Sequence, residues 1–600
     1  MMLRKLRNIR FLSYFKFFYK YLGSSVLFAL GLSLVVGLLD GIGLTMFLPL
    51  IQAAESGSTA VSEDSDLGAL DVVLEGMASV GLEPTLVTIL FVMLFFFAMK
   101  GVAAFTMQFY RAVLNQRFAN KIRLKNMQLL AGYDYSEFSR TDSGSIQNTL
   151  SAEVVRVNIA YFTYFSMLQF LIMMLVYVVL AYIANPKFAV IVAIGGLLSN
   201  LAFSKIYRNT KAASRKITSE MNSFQGFLIQ SVASFKFLKA TNLIEKYKAK
   251  VDQSIISIEK QQRRVGVMNA IASAAREPLV MGIVICAILV QVLVFKEGIG
   301  RIILSLLFFY RGLSMLNTTQ NYYNQFLGVS GSVENMKEFM GNLQDFQENP
   351  GHLPFSGLSE SIEVRNLDFS YGEIPVLHDV NLHIDRYETV GIVGESGSGK
   401  TTLVNLICGL IPVKPGYIYV DGVDISDIDK ADYRSHIGYV TQEAQVFADT
   451  IYNNVSFWDD PTEKNVQKVR KALQLAHALE FVVLLPDGLD TEIGINGVNL
   501  SGGQRQRISI ARELYRKVDL LILDEATSAL DSQSEKLIQE NIDTLKGSLT
   551  MLVIAHRLST IRKADKIIFL KNDGQFEVGT FESLQKSSEK FRNMVDLQMV

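Results

Sequence analysis

An α-helical transmembrane domain of six spans with long intracellular helices, followed by an α/β domain, is the fold class that this sequence predicts. Three observations lead to it. Nearly continuous apolar runs occupy 24–52, 85–110, 160–183, 188–206, 270–295 and 299–328, each close to or above the roughly 20 residues that cross a bilayer. Hydrophobic residues make up 49% of the 600 and charged residues only 19%, whereas a soluble chain of this size carries more charge. From about 361 onward, short β-rich runs alternate with helical ones, which is the pattern of an α/β domain. The expected division is a transmembrane domain at 1–335, a linker at 336–360 that is polar around Pro350 and Pro354, and an α/β domain at 361–600.

The basic, aromatic start, MMLRKLRNIRFLSYFKFFYKYLG, lacks a small-residue cleavage site. It is expected to be an amphipathic helix on the inner membrane surface rather than a cleaved signal peptide. Between the first two spans lies an acidic segment with Glu63, Asp64, Asp66, Asp71 and Glu75 and no lysine or arginine. The second span is followed by the basic RAVLNQRFANKIRLKNMQ. The positive-inside rule then places the N-terminus and the later α/β domain in the cytoplasm and the acidic loop outside. Within that loop, LGALDVVLEGMASVGL has helical spacing. It fits either a helix resting on the outer leaflet or an ordinary packed loop helix.

Short external turns join spans three and four at Asn185-Pro186 and spans five and six at Lys296 to Gly300. The internal segments 111–158 and 207–266 are helical in pattern, with turns expected near 133–140 and 222–236. In the α/β domain, strands are expected at SIEVRNLDFSY, ETVGIVG, SHIGYVTQ, DLLILD, TMLVIAH and KIIFLKNDGQFEVG, the last a hairpin turned on Asp573-Gly574. The formal net charge is zero, so nothing points to nucleic acid. Cys286 and Cys408 sit apart in apolar runs and read as small buried hydrophobes, not a disulfide or metal framework.

The chemistry is concentrated at GESGSGKTT, 394–402, between an apolar strand and an apolar helix. The spacing of Gly394, Gly399, Lys400 and Thr401 is that of a phosphate-binding P-loop. Glycines let successive backbone N–H groups face phosphate oxygens, and Ser396, Gly397, Ser398 and Thr402 complete the loop and helix start. Lys400 can reach the β- and γ-phosphates of ATP, and the Thr401 hydroxyl can ligate Mg²⁺. Downstream, VDLLILDEATSALD ends an apolar strand on two carboxylates. Asp524 is positioned to hold Mg²⁺ and Glu525 to act as general base toward the attacking water.

Between these two motifs stands LSGGQ, Leu500 to Gln504, which resembles the signature of ABC-transporter ATPases. The resemblance implies further roles. Ser501, Gly502, Gly503 and Gln504 face the nucleotide of a second ATPase domain. Tyr371 stacks on adenine. Gln442 in YVTQEAQVF is the Q-loop glutamine near Mg²⁺. Asp531 closes a D-loop that begins at Ser528, and His556 contacts the γ-phosphate. Six spans followed by one ATPase domain resemble the ABC exporter half-transporters, which work as pairs, and the complete site set implies a homodimer. One departure is that Ile495 and Asn496 stand where many exporters carry Glu-Arg before the signature. That departure counts against the charged contact to the coupling helices that the resemblance implies, while the hydrolytic residues are retained.

Ionisable residues inside the spans speak to cargo: Asp40, Lys100, Arg276, Glu277 and Arg311. Each costs about 2.5–3.5 kcal/mol at a helix centre, so such residues face a partner or a hydrated path. Arg311 is roughly 17 Å into span six at 1.5 Å per residue. Lys100, Arg276 and Arg311 are candidate substrate contacts, with mutual pairing or snorkelling as the alternative. Arginine suits a phosphate or pyrophosphate head group. The runs GLLDGIGLTMFLPLI and AREPLVM, with the external loop helix, resemble bacterial flippases for lipid-linked oligosaccharides. That resemblance implies an inner-membrane flippase for an anionic glycolipid. Export of a lipid A precursor, a drug or a peptide, and a membrane-anchored regulatory ATPase, are the competing classes.

Overall fold

The computed structural model describes residues 2–47, 85–293, 299–494, 497, 499–524, 536, 540, 543–555, 558–571 and 574–599. The chain divides into two compact units, Met1–Tyr133 with Arg140–Gln347, and Glu348–Val600 with Asp134–Ser139.

The first unit is helical: α1 Met2–Leu22, α2 Ser25–Thr45, α3 Leu86–Ala131, α4 Tyr135–Arg140 (largely grouped with the second unit), α5 Ser143–Asn148, α6 Val154–Ala184, α7 Pro186–Ala233, α8 Phe235–Ala240, α9 Ile244–Leu293 and α10 Ile299–Asp345. A π-turn, Thr149–Glu153, joins α5 to α6. Four stretches among the described residues are long and apolar enough to cross a membrane: Ser25–Thr45, Leu86–Ala131, Ser143–Ala184 and Ile244–Val290. The expected spans at 188–206 and 299–328 fall within α7 and α10, where several side chains lie outside the described residues.

Local sequence sets the helix ends. Thr85 caps α3 through a reciprocal capping box with Thr88. Pro186 opens α7, a position where its missing N–H is not needed. Along α3, Phe91, Leu94, Phe95, Val102, Phe105 and Phe109 are exposed, as a lipid-facing surface requires. The N-terminal helix turns Tyr14, Phe18 and Leu22 inward at every fourth position, against Phe118, Tyr161, Tyr164 and Phe326. Leu12, Lys16, Tyr19 and Lys20 remain exposed.

One expectation is corrected. The linker does not begin at 336: α10 runs to Asp345 and buries Met336, Met340 and Leu343. The second internal turn opens at Ser234, within the expected 222–236, and is completed at 241–243 beyond the short α8. The external loop helix lies outside the described residues.

The second unit holds two sheets, in strand order β2-β1-β4-β5 and β10-β9-β3-β8-β7-β6. Their strands are β1 Ser361–Tyr371, β2 Ile374–Asp385, β3 Thr389–Gly394, β4 Ile418–Val420, β5 Val423–Asp424, β6 Ile437–Val440, β7 Leu520–Asp524, β8 Thr550–Ile554, β9 Lys566–Leu570 and β10 Phe576–Gly579. The first sheet is antiparallel. In the second, only the β9–β10 pair is antiparallel. β3, β7 and β8 are buried almost throughout, as strands covered on both faces must be. Two apolar cores flank them, one built on Leu403, Val404 and Ile407, the other on Ile508, Ala511 and Leu521.

Candidate nucleotide site

In an open parallel sheet, ligands bind beyond the carboxyl ends of the strands. Here β3 delivers the glycine-rich loop to that edge and β7 delivers Asp524. Ile554 at the end of β8 pairs with both Ile392 and Asp524, so the three strand ends are in register.

The loop after β3 is shaped by three glycines. Gly394, Gly397 and Gly399 have φ of 155°, 82° and 97°, conformations that side-chain-bearing residues rarely adopt. Their lack of a side chain is also required by space. A Cβ on Gly394 would stand 2.3 Å from the Leu570 carbonyl oxygen, and one on Gly399 3.0 Å from Val376 and Leu377. Val376 and Leu377 belong to β2, which closes the hairpin from Tyr371 at the end of β1. Tyr371 is thereby carried beside the loop, partly exposed and edge-on to Phe369.

The helix that follows, α11 Lys400–Ile407, begins at Gly399 without a side-chain cap. Its first N–H groups and the loop amides therefore form an anion cradle. Lys400, 6% exposed, points its ammonium into the loop and donates to the carbonyl oxygens of Gly394 at 3.0 Å and Glu395 at 2.8 Å. The Ser398 hydroxyl is buried with no hydrogen-bond partner among the described residues, a polar group of the kind a bound phosphate satisfies. Ser396 and Thr401 are exposed on the loop and helix start, and Thr402 is half-buried.

A cavity of about 690 Å³ adjoins this loop, and its lining brings together Thr401, Gln442 and Asp524 with Cys408, Tyr439 and Arg434. Hydroxyl, amide and carboxylate oxygens make the hard donor set that Mg²⁺ takes. The Tyr439 hydroxyl donates to Asp524 Oδ2 at 3.1 Å. Burial, with the adjacent Asp524 charge, raises the Tyr439 phenol far above its ordinary value, so it remains a donor. Burial likewise pushes the Cys408 thiol up to about 12, leaving it an inert wall. Arg434, on α12 Lys430–Ser435, forms a two-pronged ion pair with Glu348 and donates to the Gly409 carbonyl oxygen at 2.5 Å. It thus ties the C-terminal end of α11 to the start of the unit.

The signature opens a helix. Ser501 caps α13 Ile451–Ser456's neighbour, α14 Gly502–Arg516, by accepting from the Gln504 N–H at 3.2 Å, and the Gln504 side chain accepts from the Ser501 N–H at 2.8 Å. Gly502 and Gly503 form the first turn, and Ser501 is exposed. Ser501, Gly502, Gly503 and Gln504 do not line the 690 Å³ cavity. Glu525, Asp531 and His556 lie outside the described residues.

The structure adds a residue that the sequence reading did not single out. Arg512, 4% exposed, donates to the carbonyl oxygens of Asn454 at 2.7 Å and Gln445 at 2.8 Å and to Asn454 Oδ1 at 3.0 Å. It joins the signature helix to α13 and to the segment that carries Gln442. Burial lowers its pKa from the ordinary guanidinium value, opposed by the neighbouring Glu513. Its one-dimensional signal, an arginine on a helix rich in them, does not distinguish it from the half-buried Arg505, Arg507 and Arg516.

The candidate cargo residues stand in the first unit. Lys100 donates to Asp40 at 2.5 Å, and Asp40 also accepts from the Tyr177 hydroxyl. Lys100 is thus engaged by a carboxylate, as the pairing alternative has it. Arg311 is half-buried on α10 and makes no ion pair among the described residues. Arg276 is on α9, and its side chain lies outside the described residues.

Comparison with known proteins matches 377–528 to the family model of the ABC transporter and 11–315 to that of the ABC transporter transmembrane region. An ATP-dependent lipid A-core flippase of Francisella tularensis subsp. holarctica (strain OSU18) is 31% identical over 495 residues, 81% of each chain. The heterocyst differentiation ATP-binding protein HepA of Nostoc sp. is 31% identical over 478 residues, covering 79% of this chain and 78% of its own. Among solved structures, a bacterial Atm1-family ABC exporter with ATP bound superposes with a TM-score of 0.77 at 20% identity, covering 97% of this chain and 99% of that one. With a membrane region and an ATPase domain on one polypeptide, the chain belongs to the ABC transporter family as an exporter-type, ATP-hydrolysing translocase.

Proposed function

We propose that two copies of the chain form a flippase in a bacterial inner membrane, with the N-terminus and ATPase domains cytoplasmic, that moves an anionic glycolipid to the outer leaflet. A polyprenyl-pyrophosphate-linked oligosaccharide is the leading cargo. The observation that carries this reading is a cation, Arg311, within the apolar stretch expected as the sixth span and without an ion-pair partner among the described residues. A cation at membrane depth is expensive unless an anion meets it, and a guanidinium matches phosphate oxygens two at a time. Several relatives are lipid A-core flippases, which favours a second reading in which the cargo is a lipid A species, also an anionic glycolipid.

The ATPase steps follow from the residues. Lys400 and the loop amides hold the phosphates, and Tyr371 supports the adenine. Thr401, Gln442 and Asp524 would hold Mg²⁺, which supplies charge neutralisation at the phosphates. Ser501 and the first turn of α14 on a second copy cover the nucleotide; that helix start is exposed and can take phosphate, and it does not line the cavity of its own copy. Glu525 takes a proton from the attacking water, and His556 contacts the terminal phosphate. The grouping of Asp134–Ser139 with the ATPase unit supports a role for that internal turn in passing closure to the spans.

The test is ATPase activity of the purified protein in lipid nanodiscs, with a polyprenyl-pyrophosphate oligosaccharide, a lipid A species and hydrophobic drugs added singly. Glu525→Gln is the blank. Stimulation by the polyprenyl species supports the leading reading, and stimulation by lipid A alone supports the second. Stimulation by drugs alone defeats both. Arg311→Ala is expected to depress lipid translocation more than basal ATPase; equal translocation by variant and wild type removes Arg311 from the cargo path.

A further inference from the structure

We propose that Asp40 is a resident counter-anion in the cargo path, a carboxylate that stands in for the cargo's anionic group and sets how tightly that group is held. The proposal rests on the anionic-cargo reading above.

Three helices each send one polar side chain to the same place, and a fourth passes beside it. Asp40 on α2 is 2% exposed, and its two oxygens accept from Lys100 on α3 and from the wholly buried Tyr177 on α6. Arg311 is on α10, one residue before the point where that helix meets Tyr177. The next residue, Gly312, is where α10 passes Tyr177: a Cβ there would touch the Tyr177 Cβ at 3.4 Å. The backbone is built to bring Asp40 in. Ser33, Gly37 and Gly41 recur every fourth residue along α2, and all three are buried. A Cβ on Gly41 would stand 2.2 Å from Leu180, and one on Gly37 3.4 Å from Val176, both on α6. Small residues at this spacing let helices approach closely in a membrane.

The cluster holds two cations and one carboxylate, so it carries one positive charge in excess. A phosphate-type head group supplies the missing anion but competes with Asp40 for the cations. A path needs such a balance, since a site that binds too tightly does not release.

The experiment compares wild type, Asp40→Asn, Lys100→Gln and the double variant in nanodiscs. Polyprenyl pyrophosphate is the probe and uncharged polyprenol of equal length the control, with ATPase stimulation as the readout. Asp40→Asn adds a net positive charge. The half-stimulating concentration of the pyrophosphate is expected to fall about tenfold, together with the maximal rate, as release slows. Lys100→Gln removes a positive charge, and the same concentration is expected to rise. The double variant restores the net charge and is expected to return near wild type. If Asp40 is only a helix staple, the maximal rate falls with no change in half-stimulating concentration, and the double variant is worse; that result overturns the proposal. Equal shifts with the uncharged polyprenol overturn it too. Should Asp40→Asn fail to fold, Lys100→Gln decides alone, an unchanged or lowered concentration being fatal. A wild type indifferent to the pyrophosphate defeats the polyprenyl-pyrophosphate reading and this inference with it. A responsive wild type with unshifted variants defeats this inference alone.

Discussion

Lys400 is held inside its loop by two backbone carbonyl oxygens, 2.8 and 3.0 Å away, so its ammonium waits where phosphate charge would arrive. Lys400→Ala is expected to weaken ATP binding at least tenfold in a nucleotide titration, because charge-assisted hydrogen bonds are worth about 1.5–3 kcal/mol. Unchanged affinity would contradict the P-loop assignment. Tyr439 acts one step further out, through Asp524. Tyr439→Phe removes the 3.1 Å hydrogen bond and is expected to raise the Mg²⁺ concentration for half-maximal ATPase about tenfold, the size of effect that outer partners have on metal affinity. Burial holds the phenol above its ordinary value, so the wild-type hydroxyl is still protonated at pH 9 and the difference between the two proteins should be flat from pH 6 to 9. A variant matching wild type across that titration would leave Tyr439 as packing alone. The loop residues were legible in the chain because phosphate chemistry demands those residue types at that spacing. Tyr439 was not, because nothing in GYVTQ says which strand neighbour ends in a carboxylate facing it.

Elements were legible where their period was unbroken. The expected β1 coincides with Ser361–Tyr371, and the buried strands β3, β7 and β8 show as apolar runs. β2 was missed for a physical reason. Its pairing with β1 shifts register three times, with Asn366 and Asp379 at positive φ, so the alternation is broken across IPVLHD and is clean only over the last six residues, VNLHID. The linker was misjudged because polarity beyond 336 was read as loop, while Met336, Met340 and Leu343 at helical spacing carry α10 onward. Side-chain braces between elements are invisible to such patterns, and Arg512 is the clearest. It serves three acceptors on two segments. Arg512→Met leaves those three acceptors, two of them buried and one partly so, unpaired at about 1 kcal/mol each, and the thermal transition of the ATPase domain is expected to drop by about 6–12 °C. Arg512→Lys should recover little, since a single ammonium cannot span the fork. A melting temperature within about 2 °C of wild type for Arg512→Met would refute the brace.

At the scale of the whole molecule, the question is whether each nucleotide is served by one chain or two. Within one copy, Thr401, Gln442 and Asp524 line a common cavity and the signature residues do not. The signature helix start, Ser501, is exposed, with its hydroxyl committed only to its own helix. A composite site made of the Lys400 loop of one copy and the Ser501 end of another makes a prediction that no single-chain site can imitate. Lys400→Ala and Ser501→Arg subunits, each inactive as homodimers, are co-expressed with different tags and purified as the mixed pair. If the sites are composite, both lesions meet in one site and the other site is intact, so the mixed pair binds ATP at one site. Its ATPase should rise well above either parent. If each chain builds its own site, both sites in the mixed pair carry a lesion, and activity stays at the parental level. Binding stoichiometry separates partial recovery from contamination. One tight ATP per mixed dimer is expected for the composite arrangement, and none for the other, whatever the cargo proves to be.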